Sequence, residues 1–145
     1  MNTDLGKEWL AKLQQSGYRL TEPRRAIVEL LASSLRAMDP LALFDAGRRA
    51  YPSLGLVTVY RTLEKLEELG LIQRVHQPGG CNLYLRASRG HEHMLICTAC
   101  GQVRFFSGDD LRGLFESLAQ HSGYQITEHW LQLYGLCPAC RPAAV

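Results

Sequence analysis

A chain of 145 residues that is 46% hydrophobic and 21% charged has the composition of a soluble globular protein of one domain or two small ones. No apolar run is long enough to span a membrane, and Met1-Asn2-Thr3-Asp4 lacks the basic start and apolar core of a secretory signal, so a cytoplasmic protein without a membrane partner is expected. The formal net charge of +2 is unevenly spread: residues 1–90 carry 13 Lys and Arg against 9 Asp and Glu, residues 91–145 carry 3 against 5, and the basic part is the candidate for a polyanionic partner.

Taken in order, Lys7 to Ser16 places Trp9, Leu10 and Leu13 at helical spacing, with Gly17 suited to end the helix. Thr21 suits the N-cap of a second helix with Pro23 in its first turn and Ile27, Leu30 and Leu31 on its apolar face. Asp39-Pro40 opens a third, which carries Leu43 and Phe44 and stops near Tyr51-Pro52. A fourth runs from about Leu56 to Leu69, with Val59, Leu63 and Leu66 inward and Tyr60, Arg61 and Glu64 on the other side. Leu71 to Val75 and Cys81 to Leu85 read as strands joined by the turn formers Gln77-Pro78-Gly79-Gly80.

A helix array followed by a hairpin is a winged helix, in which the last helix enters the DNA major groove and the hairpin and basic loops touch phosphates. Tyr60 and Arg61 are then the base-facing candidates, because a guanidinium pairs with guanine O6 and N7 and an aromatic ring packs on a thymine methyl. Arg19, Arg24 and Arg25 are expected on the backbone or in the minor groove. Ordinary surface residues are the alternative, against which their grouping at the front of the reading helix counts.

Residues 86–90 are polar and read as a hinge between a DNA-binding domain, 1–85, and a second domain, 91–145. The second domain is expected as strand (His93 to Cys97), strand (Val103 to Phe106), helix (Leu111, Leu114, Phe115 and Leu118, ending at Gly123) and strand (Tyr124 to Tyr134). About 55 residues bury little apolar surface, so metal and self-association are the expected supports. A homodimer formed mainly here would match a palindromic operator on double-stranded DNA.

Cys97-Thr98-Ala99-Cys100-Gly101 and Cys137-Pro138-Ala139-Cys140 supply four thiols in two tight turns, the donor set of a closed tetrahedral Zn²⁺ site. Such a site has no open position and holds structure. Two disulfides or plain buried thiols are the alternatives. A second, regulatory metal is expected from His91 and His93, spaced i and i+2, with Cys81 and with His76 across the wing turn; His129 is a candidate for a further site with one of the hinge histidines, a lone strand histidine being the alternative. An ion joining the two domains would favour one orientation and shift the population toward the DNA-competent form. His121 reads as a helix-capping or exposed residue.

These motifs resemble the ferric uptake regulator family of metal-dependent repressors along nearly the whole chain. The carriers are Gly17-Tyr18-Arg19-Leu20-Thr21-Glu22-Pro23-Arg24, Thr58-Val59-Tyr60-Arg61-Thr62-Leu63, Gly70-Leu71-Ile72, His91-Glu92-His93 before the first cysteine pair, and His129 through Gly135 to Cys137 and Cys140. The resemblance implies an α+β chain: a winged helix joined to a small α/β dimerisation domain with a Cys₄ structural zinc and a regulatory metal at the hinge. It also implies operator contacts from the helix around Thr58, Tyr60 and Arg61, with Arg19 near the minor groove. Iron-sensing members carry a histidine where this chain has Ala37 and an acid where it has Leu85, and Cys81 offers sulfur instead. A soft donor favours Zn²⁺ over Fe²⁺ or Mn²⁺, so the chain is most similar to the zinc uptake regulators. Met94 lies where many relatives reach the cysteine turn one residue sooner, and Phe105 and Arg112 replace acids of an extra metal site.

The expected function is a zinc-responsive repressor of metal uptake genes, with iron or peroxide sensing as the alternative. A zinc hydrolase or nucleobase deaminase is the distant rival. Glu92 directly follows His91 and Cys137 precedes its proline, neither of which matches the deaminase spacing.

Overall fold

Leu5, Trp9 and Leu13 recur every fourth residue and are all buried along α1 (Thr3–Gln15). The helix starts four residues before the expected Lys7, because Leu5 extends the apolar stripe and Asp4 suits the positive N-terminal end. This geometry comes from a computed structural model that describes residues 3–76, 80, 82–108 and 111–143. Cys81 and the turn residues Gln77, Pro78 and Gly79 lie outside the described residues.

α2 (Glu22–Ser33) follows an extended Thr21, whose carbonyl accepts from Arg25 N at 2.9 Å although its hydroxyl makes no capping bond. α3 (Pro40–Ala50) is capped by Asp39, whose Oδ1 accepts from Ala42 N at 2.7 Å. Gly47 lets α3 approach its neighbours: a Cβ there would stand 2.5 Å from Leu54 Cδ2 and 3.2 Å from Ile27 Cδ1. α4 (Leu56–Glu68) buries Val59, Thr62, Leu63 and Leu66, and Thr62 Oγ1 donates to Thr58 O at 2.7 Å, so the hydroxyl inside the core is satisfied.

The hairpin pairs β1 (Ile72–His76) with β2 (Asn82–Arg86) antiparallel, from Ile72 opposite Arg86 to His76 opposite Asn82. Met38 extends it by a bridge, exchanging two backbone bonds with Tyr84 at 2.9 and 2.8 Å. The Arg74 guanidinium ties the hairpin to α4 with a fork onto Glu67 at 2.8 and 2.9 Å. One core joins α1 through Leu13, α2 through Ile27 and Leu31, α3 through Leu43, α4 through Leu63 and Leu66, and the hairpin through Ile72 and Tyr84. This is a winged helix, and the chain divides between Ala87 and Ser88.

The second unit is a three-stranded sheet and one helix: β3 (Glu92–Cys97), β4 (Val103–Ser107), α5 (Arg112–Ser122) and β5 (Gln132–Gly135). β3 is central, antiparallel to β4 and parallel to β5. α5 ends at Gly123, whose φ of 74° is the left-handed cap that glycine adopts without strain. The long final strand expected from Tyr124 is absent. Residues 124–131 have no regular structure, because β5 finds a partner only from Met94 opposite Gln132 to Cys97 opposite Gly135. The buried apolar set here is small, chiefly Met94, Ile96, Cys97 and Val103, and α5 buries none of its residues.

The two faces of α4 predict opposite outcomes. Leu63→Ala should destabilise the chain by about 2–5 kcal/mol, whereas Glu64→Ala on the exposed side should stay within about 0.5 kcal/mol; urea unfolding of the two variants checks both.

Candidate metal centre and nucleic-acid interface

Parallel pairing creates the candidate metal centre. β3 and β5 run the same way with Cys97 opposite Gly135, so both cysteine turns leave the sheet at the same end. Thr98 anchors the second turn to the first, donating from N to Gly135 O at 2.9 Å and from Oγ1 to the same carbonyl at 3.3 Å. Gly101, at φ 73°, closes the first turn with a 2.9 Å bond to Cys97 O, and Cys140 and Arg141 close the second onto Cys137 O, each at 2.9 Å. The sulfur atoms of Cys97, Cys100, Cys137 and Cys140 all lie within 4.8 Å of one another. All four are free thiols, which removes the disulfide alternative for these residues.

The geometry fits a tetrahedral ion. Zinc–sulfur bonds of about 2.3 Å put neighbouring sulfurs about 3.8 Å apart; Cys100 Sγ and Cys137 Sγ are 3.9 Å apart. Backbone N–H groups prepare one sulfur for the charge. Hydrogen bonds from Cys137 first, then Cys100 and Ala99, pull the Cys97 thiol down to about 6, with Cys137 N at 3.4 Å from its sulfur. The Cys140 thiol is pushed up to about 12 by its hydrogen bonds to the sulfurs of Cys137 and Cys100. Without a cation, placing a negative charge on Cys140 beside these sulfurs is unfavourable.

The histidines separate. His91 is exposed in the turn before β3, and His93 is buried within the strand, so the two are not successive same-side residues of one strand as the spacing suggests. Gly90 at φ 58° and the bond from Glu92 N to Arg89 O at 3.1 Å keep that segment a turn. His93 is 4% exposed, and its Nε2 has no hydrogen-bond partner among the described residues. Its ring lies 5.3 Å from that of His129 and 5.5 Å from that of Phe106, and Phe115 stands 4.5 Å from His129. That aromatic surround escaped the sequence, since Phe106, Phe115 and His129 come from three separate segments. His76 is exposed at the end of β1. Among the described residues no group of three or more ligand atoms converges on these histidines, and Cys81 lies outside that set. His121 is exposed, its Nδ1 donating to Ser117 O at 2.7 Å near the end of α5.

The candidate nucleic-acid surface is the outer side of α4. Tyr60 is 44% exposed and Arg61 beside it is exposed; Thr58, half-buried, precedes them by one turn or less. Among the basic candidates Arg19 is exposed in the loop between α1 and α2. Arg25 is near Glu22, at 3.9 Å. Arg24 is turned to internal use: its Nη1 donates to Arg19 O at 2.6 Å and its guanidinium lies 4.4 Å from the centre of the Tyr18 ring. A tyrosine six residues before an arginine across a turn is the only trace of this in the sequence.

Comparison with known proteins agrees with this geometry. A family model described as the ferric uptake regulator family matches residues 15–134. A ferric uptake regulation protein from Neisseria meningitidis is 31% identical over 135 residues, spanning 91% of this chain and 92% of the relative. The crystal structure of the Vibrio cholerae ferric uptake regulator matches with a TM-score of 0.70 at 30% identity, over 88% of this chain and 98% of that one. A zinc uptake regulator complexed with zinc and DNA matches with a TM-score of 0.68 at 27% identity, over 94% and 92%.

If the four sulfurs hold an ion, a strong chelator should remove one metal per chain and melt the second unit's sheet, while the helical first unit keeps its cooperative transition. Cys137→Ser should have the same effect without chelator. Metal analysis beside circular dichroism melts checks both; an intact sheet after complete metal removal would contradict the assignment.

Proposed function

The chain belongs to the ferric uptake regulator family, and from that membership we propose that it is a zinc-responsive repressor that binds operator DNA as a homodimer. Membership makes it a metal-responsive transcription regulator and not an enzyme, which disposes of the hydrolase and deaminase readings. The observation that carries DNA binding is the two-faced α4. Its inner stripe is locked into the first unit's core, so Tyr60 and Arg61 are presented outward on a helix that cannot roll. Thr58, Arg19 and Arg25 complete the contact set, with base edges read by Tyr60 and Arg61 and phosphates met by the others.

Zinc as the signal rests on donor chemistry. Ala37 is 9% and Leu85 1% exposed, so two positions where the family's iron sensors keep nitrogen and oxygen ligands are apolar and buried here. Thiol and imidazole donors remain, and they suit Zn²⁺. His93 is the favoured regulatory ligand, because a buried imidazole nitrogen without a partner is costly unless something binds it. Cys81, His76, His91 and His129 are the further candidates. Cys97, Cys100, Cys137 and Cys140 hold the structural zinc. Iron is the second reading, favoured by relatives such as the Neisseria and Vibrio proteins, which are named for ferric uptake.

Dimerisation through the second unit is supported by what that unit leaves uncovered. Leu114 and Leu118 on α5 are 54% and 49% exposed, Trp130 is 77% exposed, and β5 is an edge strand. A two-fold dimer presents two α4 helices to a palindromic operator.

With the structural zinc in place, free Zn²⁺ should raise operator affinity at least tenfold, and Cys81→Ser or His93→Ala should abolish the response without loss of fold. A response to Fe²⁺ with none to Zn²⁺ would move the assignment to iron. Arg61→Ala should cost about 1–3 kcal/mol and relax base preference at one position, read by binding to a panel of single-base operator variants. Leu118→Asp should convert the dimer to monomer in sedimentation.

A further inference from the structure

The loop between α1 and α2 is held from both ends, and the second hold comes from a residue that the basic composition alone would assign to DNA. At the α1 end, Gly17 N bonds Gln14 O at 3.0 Å and Tyr18 N bonds Leu13 O at 3.1 Å, with Gly17 at φ 80°; these are the paired bonds of a Schellman cap, and they fix where Tyr18 leaves the helix. From the first turn of α2, Arg24 reaches back. Its Nη1 donates to Arg19 O at 2.6 Å and its guanidinium stacks on Tyr18 at 4.4 Å. The Nε of Arg24 is buried, and so is the Tyr18 hydroxyl. With one nitrogen on a backbone carbonyl, its Nε shielded from solvent and its face on a tyrosine, the guanidinium is held by the loop and is not free to follow a phosphate.

We propose that Arg24 is a positioning residue: it fixes the Tyr18-Arg19 backbone so that the exposed Arg19 side chain meets DNA in one geometry, and makes no phosphate contact of its own. The idea rests on the DNA-binding reading above and changes what it says of this arginine. A phosphate contact needs only a positive charge, which lysine supplies. A planar fork that bonds a carbonyl while stacking on a ring cannot be replaced by an ammonium. The mobility of the loop then decides how much of Arg19's contact energy survives as affinity, because a loop that must be ordered on binding loses that ordering free energy from the total.

The test uses the full-length zinc-loaded protein and a duplex that it selects from a randomised pool. Arg24→Lys should weaken binding about three- to tenfold, the range expected for one hydrogen bond and its ordering, and Tyr18→Leu, which keeps both arginines, should do the same. In an Arg19→Ala background neither change should weaken binding further. The salt slope of the double variant Arg19→Ala/Arg24→Ala should match that of Arg19→Ala alone, because Arg24 neutralises no phosphate of its own. Arg24→Lys binding like the parent overturns the proposal. So does a further drop of about 0.9 in the salt slope when Arg24→Ala is added to Arg19→Ala, the signature of a separate phosphate. A readout without DNA keeps the two readings apart: backbone ¹⁵N relaxation at Arg19 and Leu20 should show a more mobile loop in Arg24→Lys. An equally rigid loop refutes the positioning role whatever happens to affinity; a parent protein that selects no duplex at all refutes the DNA reading and leaves the relaxation result standing.

Discussion

Four sulfur atoms within 4.8 Å of one another cannot all be anions unless a cation sits among them. That constraint governs the second unit. Backbone donors favour the Cys97 thiolate and the neighbouring sulfurs resist the ionisation of Cys140, so the thiols alone are a mixed set held back from full charge. A divalent ion would remove the conflict and tie together two turns that backbone hydrogen bonds already close. The parallel pairing of β3 and β5 and the convergence of the cysteines are therefore one feature: each keeps the other in place.

The two units differ in what they can supply for themselves. The first buries a continuous core contributed by four helices and a hairpin, and the buried Thr62 hydroxyl within it donates to Thr58 O. The second has a few buried apolar residues beneath its sheet and a helix with none. Burial of that order does not offset the conformational entropy of about 55 residues. Metal ligation and the proposed second copy are the candidate sources of the missing stabilisation, and they would act at different places: an ion at the cysteine end of the sheet, a partner over the exposed Leu114 and Leu118 of α5.

Much of this could be read from the residues, for local reasons. Helical periodicity located all five helices, because Leu, Val and Ile at three- and four-residue spacing have one economical burial; Asp39-Pro40 and Gly123 marked their ends through local chemistry. The cysteine pairs announced their site because each turn carries two ligands within four residues. What could not be read depends on distant partners. The stretch before Gln132 alternates like a strand but, apart from Leu131 O accepting from Met94 N, pairs with no strand among the described residues, and alternation does not report that. His91 and His93 look equivalent in the sequence, yet a turn at Gly90 leaves one in solvent and the next sheet position buries the other. His129 is readable as a candidate beside a hinge histidine and lies 5.3 Å from His93, but the Phe106 and Phe115 rings around them come from segments that no local pattern links.

Charge is the clearest case of composition overstating function. The first 90 residues carry 13 basic side chains, but that number counts identity and not availability. Arg74 is bound by the Glu67 carboxylate, Lys12 by Glu8, Lys65 by Glu68, and Arg24 by a carbonyl and a ring. Those four contacts leave exposed basic side chains such as Lys7, Arg19, Arg36, Arg49 and Arg61 to face a nucleic acid. A handful of contacts gives weak, salt-sensitive binding from one copy, because each neutralised phosphate releases only its own counterions. Two linked copies raise the effective concentration of the second α4 at its half-site once the first is seated. Under the proposed dimer, the modest basic surface and the exposed Leu114, Leu118 and Trp130 of the second unit would be linked, because affinity that one copy lacks would come from pairing two.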